Sequence, residues 1–238
     1  GWAELAGAVP PDALERQHLS GKSSQTLALG LLGVSARSDP SLTWLWDALD
    51  FRSRSGEPVV EFERVVAPDL LGERPRQTSF DVLVDDPDVL VGIEAKWRER
   101  GVGTCLCRGA GAGPGAGLRC SRRIEQRGAY WDAAGAVLGI DTRAEGAPCP
   151  ISPLYETVRH AAALRALAGE RQAVLLLLHD AHNPYFAGTE GWPGWPGLLA
   201  ETIDGGLRFA ALSWQELTPK LPLDDAARDW AADKHGLD

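Results

Sequence analysis

The stretch that decides the fold runs from residue 78 to residue 96 and reads TSFDVLVDDPDVLVGIEAK. Two apolar runs rich in β-branched residues, 80–84 and 89–93, lie on either side of the turn-forming sequence DDPD at 85–88. Short apolar runs separated by such a turn predict an antiparallel β-hairpin. The polar residues inside and just after these runs therefore need a chemical explanation.

Side-chain alternation places three of these polar residues on one face of the hairpin. If the turn closes between Val84 and Val89, paired positions sum to 173 and Asp81 lies diagonal to Glu94. Because side chains alternate faces with a period of two, Asp81, Glu94 and Lys96 share a face, with both carboxylates within reach of one ion. A slip of one residue would separate them.

Two neighbouring carboxylates at the end of an apolar hairpin repel each other, and one of them would tend to protonate. A divalent cation removes this repulsion. The carboxylates of Asp81 and Glu94, with the carbonyl of Ala95 between them, are hard oxygen ligands that suit Mg²⁺ or Mn²⁺ better than zinc. The ammonium of Lys96 would point at the same site, where it could activate a water or offset charge on a phosphodiester.

Asp81, Glu94 and Lys96 resemble the motif of the PD-(D/E)XK nuclease superfamily, the fold of many restriction endonucleases. Phe80 stands where the motif has proline before the first acid, and Gly92 allows a close backbone approach. The resemblance implies a Mg²⁺-dependent DNA endonuclease, in which Asp81 and Glu94 bind the metal and Lys96 assists the attacking water. It also implies an α/β, restriction-endonuclease-like αβββαβ core with a mixed central sheet flanked by helices. The alternative is a surface hairpin whose Glu94 and Lys96 are merely solvated.

A strand predicted at 58–67 supplies a candidate for a further acid. In the superfamily an additional acid from an early helix or strand often joins the metal site, and Glu63 is the residue that we assign to this role. A glutamate that simply faces solvent is the alternative interpretation. The remaining elements follow from hydrophobic periodicity and cap signals. They are helices at 20–33, 41–49, 122–136 and 152–168, an apolar strand at 171–179, a last strand from 206 and an acidic surface helix from Asp224.

Composition bounds the architecture. With 238 residues, 44% hydrophobic and 24% charged, the chain predicts a single nuclease domain spanning 1–238 with a Cys-, Arg- and Gly-rich insertion at 101–150. No apolar run reaches the length of a membrane span, and the N-terminus lacks a secretory leader pattern. We therefore expect a cytoplasmic protein without a membrane partner. The oligomeric state stays open, with a homodimer among the alternatives.

A net charge of −9 opposes DNA binding, because neutralising phosphates supplies most non-specific affinity. The charge is unevenly distributed: residues 96–127 hold eight basic and two acidic residues, a net +6, and the rest of the chain carries −15. This basic window directly after Lys96 predicts DNA as the partner. The predicted DNA contacts are Arg98, Arg119, Arg122, Arg123 and Gln126. An ordinary solvated face is the alternative.

Gln126 and Tyr130 are spaced four residues apart in the predicted helix at 122–136, so they share a face. They resemble the Q-x-x-x-Y element of the RecB-like branch of the superfamily, where cysteine-bound iron–sulfur clusters also occur. This resemblance makes Gln126 a candidate for a contact with the phosphate backbone. The other interpretation is an amphipathic helix with Tyr130 and Trp131 in the core.

Four cysteines lie within the insertion or at its end, and a chain in the cytosol argues against disulfides between them. Their spacing is C-x-C-x12-C-x28-C. A glycine-rich segment with few apolar side chains needs another source of order, and a closed metal site supplies it. We expect structural zinc first and an iron–sulfur cluster second, with unligated thiols as the alternative. The expected ligands are Cys105, Cys107, Cys120 and Cys149.

Two further functions remain open from the sequence. One is a nucleic-acid-binding module on the same fold that has lost its chemistry, which the presence of all three motif residues argues against. The other is a zinc hydrolase that uses His179, Asp180 and His182 after the apolar strand. Histidines at the end of a strand more often form hydrogen-bonded loops than metal sites.

Overall fold

One mixed five-stranded sheet forms the centre of the molecule. The structure, a computed structural model, describes residues 23–51, 57–72, 78–103, 128–139, 154–188, 195–203 and 206–237. The strands lie side by side in chain order, β1 to β3 antiparallel and β3 to β5 parallel. They are β1 Val59–Val65, β2 Ser79–Asp85, β3 Val89–Ala95, β4 Gln172–His179 and β5 Leu207–Ser213. The predicted fold class, a mixed sheet flanked by helices in a restriction-endonuclease-like α/β fold, is confirmed.

Helices cover both faces of the sheet. In chain order, the described helices are α1 Ser24–Ser38, α2 Thr43–Ala48, α3 Pro68–Leu71, α4 Gly128–Leu138, α5 Tyr155–Ala168, α6 Trp195–Thr202, α7 Trp214–Leu217 and α8 Asp225–His235. Buried side chains of α3, α4, α5 and α6 form a core on one face, and those of α1, α2, α7 and α8 form a second core on the other. Strand β3 is buried along its whole length and β4 is buried except at its two ends, because each is covered on both faces; Glu94 is therefore a charged residue within a buried strand.

The β2–β3 hairpin forms as predicted, but its register differs by two residues. Paired positions sum to 175, as in Asp85 with Leu90 and Val82 with Ile93. The expected sum of 173 was wrong because the turn is tighter: the N–H of Asp86 donates to the carbonyl of Val89. A shift of two residues keeps every side chain on its face. Carried one residue on, the register brings Asp81 opposite Glu94 instead of diagonal to it.

The first helix begins and ends later than the predicted 20–33. It spans Ser24–Ser38, and the Ser23 side chain caps it by accepting a hydrogen bond from the N–H of Thr26. Gly33 does not end the helix, because α1 is held by packing on both the sheet and α8. At Gly30 a ring atom of Trp230 lies 2.8 Å from the position that a Cβ would take. This glycine therefore serves helix packing and does not terminate the helix.

Other elements match the predictions with shifted ends. The helix predicted at 41–49 spans Thr43–Ala48, and the one predicted at 152–168 spans Tyr155–Ala168. A helix that the sequence analysis did not predict begins at Trp195, with Pro196 in its first turn, where proline is tolerated. Of the insertion predicted at 101–150, the structure describes only residues 101–103 and 128–139. The domain division therefore stays a prediction. Among the helices that are described, none is long and apolar enough to span a membrane.

Candidate active site

The side chains of Asp81, Glu94 and Lys96 meet where the β2–β3 hairpin reaches α5. Oδ2 of Asp81 accepts a hydrogen bond from the N–H of Ala95 at 2.7 Å. The Nζ atom of Lys96 donates to Oε1 of Glu94, also at 2.7 Å. Glu94 is only 8% exposed and Lys96 only 6%, so this hairpin is not the solvated surface hairpin of the alternative interpretation.

The backbone around the site is fixed by the sheet. Strand β3 pairs with β4 as far as Ala95 opposite Leu178. The N–H of Lys96 then donates to the carbonyl of Leu178 at 2.7 Å, which extends the pairing by one residue. Lys96 is thus rigidly attached to an interior strand, and its side chain is aimed by backbone geometry as well as by its charged partners.

The carboxyl group of Asp81 has two acidic neighbours, Glu94 and Glu63, whose charges oppose its ionisation. Burial raises the pKa of Asp81 well above its usual value, and the nearby charges of Glu94 and Glu63 raise it further. The charge of Lys96 and the hydrogen bond from Ala95 oppose this shift without cancelling it. Such a cluster favours any bound cation, because a cation lowers the free energy of the ionised carboxylates.

Glu63 reaches this cluster from β1. The neighbours of Glu63 pair with the neighbours of Asp81 across β1 and β2, so the two acids stand opposite each other. Glu63 has φ of 51°, in the left-handed region that a glutamate rarely adopts. Strained residues of this kind tend to cluster at functional sites. The structure thus brings Glu63 near Asp81, and its assignment as an additional catalytic acid stays a prediction.

Helix α5 contributes two polar side chains that the sequence analysis did not assign to the site. The Nζ atom of Lys96 donates to Oε2 of Glu156 at 3.0 Å. The Nε2–H of His160 donates to the carbonyl of Ser79 at 2.8 Å and lies 3.4 Å from Oε2 of Glu94. Glu156 and His160 are four residues apart in a helix full of alanine and leucine, and this spacing on one face was the signal available in the sequence.

The ammonium of Lys96 stays charged in this environment. Burial lowers the pKa of Lys96, but the charges of Glu94, Glu156 and Asp81 outweigh burial and raise it above its usual value. For Glu156 burial raises the pKa, and Lys96 followed by His160 lowers it to below the usual value. Lys96 and Glu156 therefore form an ion pair at neutral pH, with the ammonium available as a permanent hydrogen-bond donor.

The donor set fits a hard divalent cation held partly by water. Within the parts of the chain that the structure describes, no three His, Cys, Asp or Glu side chains converge as a metal cluster. Mg²⁺ binds through one or two carboxylates and keeps several waters, so the pair of Asp81 and Glu94 is sufficient for it. The pKa of Asp81, raised by burial and then by the charges of Glu94 and Glu63, is the observation that favours such an ion at this place.

The predicted DNA contacts lie mostly outside the described residues. Arg98 is exposed at the surface, two residues after Lys96. Tyr130 and Trp131 of α4 are buried in the core, in agreement with the amphipathic interpretation of that helix. The predictions that fall outside the described residues are Arg119, Arg122, Arg123, Gln126 and the four expected metal ligands Cys105, Cys107, Cys120 and Cys149.

The residues of the alternative zinc site do not converge. The ring of His179 packs against Phe186 and Trp195, with centroids at 5.4 and 5.1 Å. The side chain of His182 is 78% exposed. Asp180 accepts hydrogen bonds from the backbone N–H of His182 and from the side chain of Gln215. These contacts are those of a hydrogen-bonded loop after β4.

A mixed sheet of this strand order, with a carboxylate pair and a lysine meeting at the hairpin, defines a nuclease fold of the restriction-endonuclease type. A comparison with family models matches residues 13–233 to the family described as restriction endonuclease associating with ARP. The match covers most of the chain, and the chain belongs to this family. Membership of this family identifies the chain as a restriction-endonuclease-like nuclease. Comparisons with curated proteins and with solved structures gave no match.

Proposed function

We propose that this protein is a Mg²⁺-dependent DNA endonuclease of the PD-(D/E)XK superfamily. Asp81 and Glu94 bind the metal, and Lys96 assists the attacking water. The observation that carries the proposal is the meeting of these three side chains at one place in the fold, where burial and then the acidic neighbours raise the pKa of the Asp81 carboxyl. An arrangement of like charges that costs stability is expected where a ligand uses it.

Each side chain has a distinct part in the reaction. Asp81 is oriented by the N–H of Ala95, and its carboxyl group lies near enough to Glu94 to feel that residue's charge. Lys96 keeps its proton and donates to whichever oxygen is placed before it, so it can orient a water and offset negative charge that develops on a phosphodiester. A bound Mg²⁺ would supply Lewis acidity and lower the pKa of a coordinated water.

The partner that we propose is DNA, in the cytoplasm. Arg98 is exposed close to the site, and we propose that it acts with Arg119, Arg122, Arg123 and Gln126 on the phosphate backbone. The net +6 of residues 96–127 beside a strongly acidic remainder supports this placement, because it concentrates attraction for DNA at one place. We further propose that Cys105, Cys107, Cys120 and Cys149 hold a structural zinc, or alternatively an iron–sulfur cluster, that orders the insertion.

Cleavage of duplex DNA tests the proposed function. The wild-type protein should cut plasmid DNA in MgCl₂ and not in EDTA. Glu94→Gln and Lys96→Met keep the volumes of the buried side chains, and each should reduce cleavage by roughly a hundredfold or more, the usual effect of removing a group that acts in the transition state. Glu170→Gln, an exposed change two residues past the end of α5, is the matched control and should cut normally.

Two results of this experiment would contradict the proposal. Cleavage by Glu94→Gln at the wild-type rate would show that the active site lies elsewhere. Binding of DNA without any cleavage by the wild-type protein, in Mg²⁺ or in Mn²⁺, would support the inactive binding module instead.

A further inference from the structure

One buried ammonium is shared between two carboxylates at the site. The Nζ atom of Lys96 lies 2.7 Å from Oε1 of Glu94 and 3.0 Å from Oε2 of Glu156. The two carboxylates come from different elements, Glu94 from β3 and Glu156 from the first turn of α5. Lys96 therefore has a second partner that does not depend on the hairpin.

Glu94, the first of these partners, would have to interact with both Lys96 and the metal. In the proposed function Glu94 binds a divalent cation, and a carboxylate that turns its charge toward a metal weakens its bond to an ammonium. A buried ammonium without a partner is strongly unfavourable, so Lys96 would hold Glu94 back from the metal if it had no other anion beside it. Glu156 is that other anion.

We propose that Glu156 is a positioning residue that holds the ammonium of Lys96 when Glu94 turns to the metal. Lys96 then stays in place for the reaction, and it does not compete with the metal for Glu94. This inference rests on the proposed metal-binding role of Glu94. Glu156 does not touch the metal or the DNA in this scheme, and it acts through Lys96 alone.

The fold keeps Glu156 in position from two directions. As an acidic residue in the first turn of α5, Glu156 is stabilised by the helix dipole. On its other side lies Gly103, at φ of 75°, where an added Cβ would stand 2.3 Å from the Cβ of Glu156 and 2.6 Å from its Oε2. The loop that follows Lys96 thus needs glycine at this position to leave room for the Glu156 carboxylate.

Titration of metal-free protein with MnCl₂ by calorimetry tests the inference without relying on activity. Glu156→Gln keeps the shape of the side chain and removes its charge. In the wild-type background it should weaken Mn²⁺ binding roughly fivefold or more, because Lys96 then stays on Glu94. In a Lys96→Met background the same change should weaken binding less than about twofold, because no ammonium is left to compete.

A second variant separates this role from the general effect of a lost negative charge. Gly103→Ala keeps every charge and displaces the Glu156 carboxylate, so it should also weaken Mn²⁺ binding. It serves as well if Glu156→Gln fails to fold, which far-UV circular dichroism would reveal.

The outcomes are distinguishable. An equal loss from Glu156→Gln in both backgrounds, or no loss in the wild-type background, overturns the positioning role and leaves the proposed function intact. Two results would overturn both the proposed metal site and this inference. In one, the wild-type protein binds no Mn²⁺; in the other, the Asp81→Asn variant binds Mn²⁺ as tightly as the wild-type protein does.

Discussion

Asp81 shows most clearly that this site is built at a cost to stability. Removal from water raises the pKa of its carboxyl well above the usual value, and the neighbouring charges of Glu94 and Glu63 raise it further. A group whose pKa is raised by folding contributes stability at low pH, and that stability is lost as the pH rises toward its folded-state pKa. Ionised Asp81 therefore destabilises the metal-free protein at neutral to alkaline pH.

Asp81→Asn should separate stability from function. The amide oxygen can still accept the hydrogen bond from Ala95, and the repulsion is removed. In EDTA at pH 8 we expect the free energy of unfolding to rise by on the order of 1 kcal/mol, with a gain that shrinks as the pH falls. The measurement is thermal unfolding of both proteins across pH.

Metal addition supplies the control for Asp81→Asn. Saturating MgCl₂ should stabilise the wild-type protein, by about 2.7 kcal/mol at a hundredfold excess over the dissociation constant, and should leave the variant unchanged. A variant that is less stable than wild type in EDTA, or that gains as much from Mg²⁺, would show that Asp81 has a purely structural role.

The sequence predicted the central residues better than their surroundings. Asp81, Glu94 and Lys96 could be placed on one face because alternation along a strand needs only local information. Glu156 could not be placed, since its contact with Lys96 spans 60 residues and depends on how α5 docks on the sheet. Glu63 was assigned from the family resemblance and its position on β1, and this role stays a prediction; its left-handed backbone is set by neighbours and leaves no local signal.

At the scale of secondary-structure elements, the observed hairpin register and helix ends differ from those that local sequence patterns predicted. The hairpin register was wrong by two residues because the turn chemistry at 85–88 allows several closures, yet the faces were right because the shift was even. Gly33 was expected to end α1, and tertiary packing carried the helix to Ser38. Helix propensity is a weak guide where a buried surface decides.

Gly30→Ala tests the packing of α1 on α8. In an isolated helix this change is favourable, but here the new Cβ would stand 2.8 Å from the ring of Trp230. We expect a loss of about 1 to 3 kcal/mol in the free energy of unfolding, as for other overpacked cores. Gly197→Ala in α6 is the control, since nothing lies within 4 Å of its Cβ position. Equal stability of the two variants would contradict the packing argument.

The end of α8 should make the protein sensitive to acid. His235 packs edge-on against Trp97 and Trp230. Burial, with the charges of Lys234 and Arg98, lowers its pKa from 6.5 to about 4. The unfolded chain therefore binds more protons between these values, so stability is present above pH 6.5 and is lost as the pH falls toward 4.

His235→Phe should reduce this sensitivity. The phenyl ring keeps the aromatic contacts and carries no proton, so the variant should avoid a loss on the order of 1 to 2 kcal/mol between pH 7.5 and pH 4, since solvent near the end of α8 screens part of the effect. Urea unfolding of both proteins at these pH values measures the difference between their free energies of unfolding. The contributions of the other titrating groups are shared by both proteins and cancel in this difference. An identical pH dependence in the two proteins would rule out His235 as the source.

At the scale of the whole molecule, the proposed nuclease site lies on a sheet that separates two cores among the described residues. The helices that share a core lie far apart in sequence, so only the structure shows which face of the sheet each helix covers. The order of helices and strands along the chain, in contrast, was predictable from hydrophobic periodicity. The charge asymmetry around residues 96–127 was also visible in the sequence. If the protein binds DNA as proposed, salt should weaken that binding steeply despite the acidic net charge.

The cysteines provide a prediction for the whole chain that is independent of the carboxylate site. Elemental analysis of protein purified without chelator should find one zinc per chain, or iron if a cluster forms, and the same amount in Asp81→Asn. Replacement of Cys105 by serine should lower that amount and destabilise the insertion, since structural metal sites contribute folding free energy. A substoichiometric metal content in the wild-type protein would contradict this prediction and show that the four cysteines are thiols that bind no structural metal.

The most direct test of the central claim is anomalous diffraction from crystals soaked in MnCl₂. A peak in contact with both the Asp81 and the Glu94 carboxylates, absent in Asp81→Asn crystals, is the predicted result. No peak at this place, or a peak between His179 and His182 instead, would contradict the assignment of the active site.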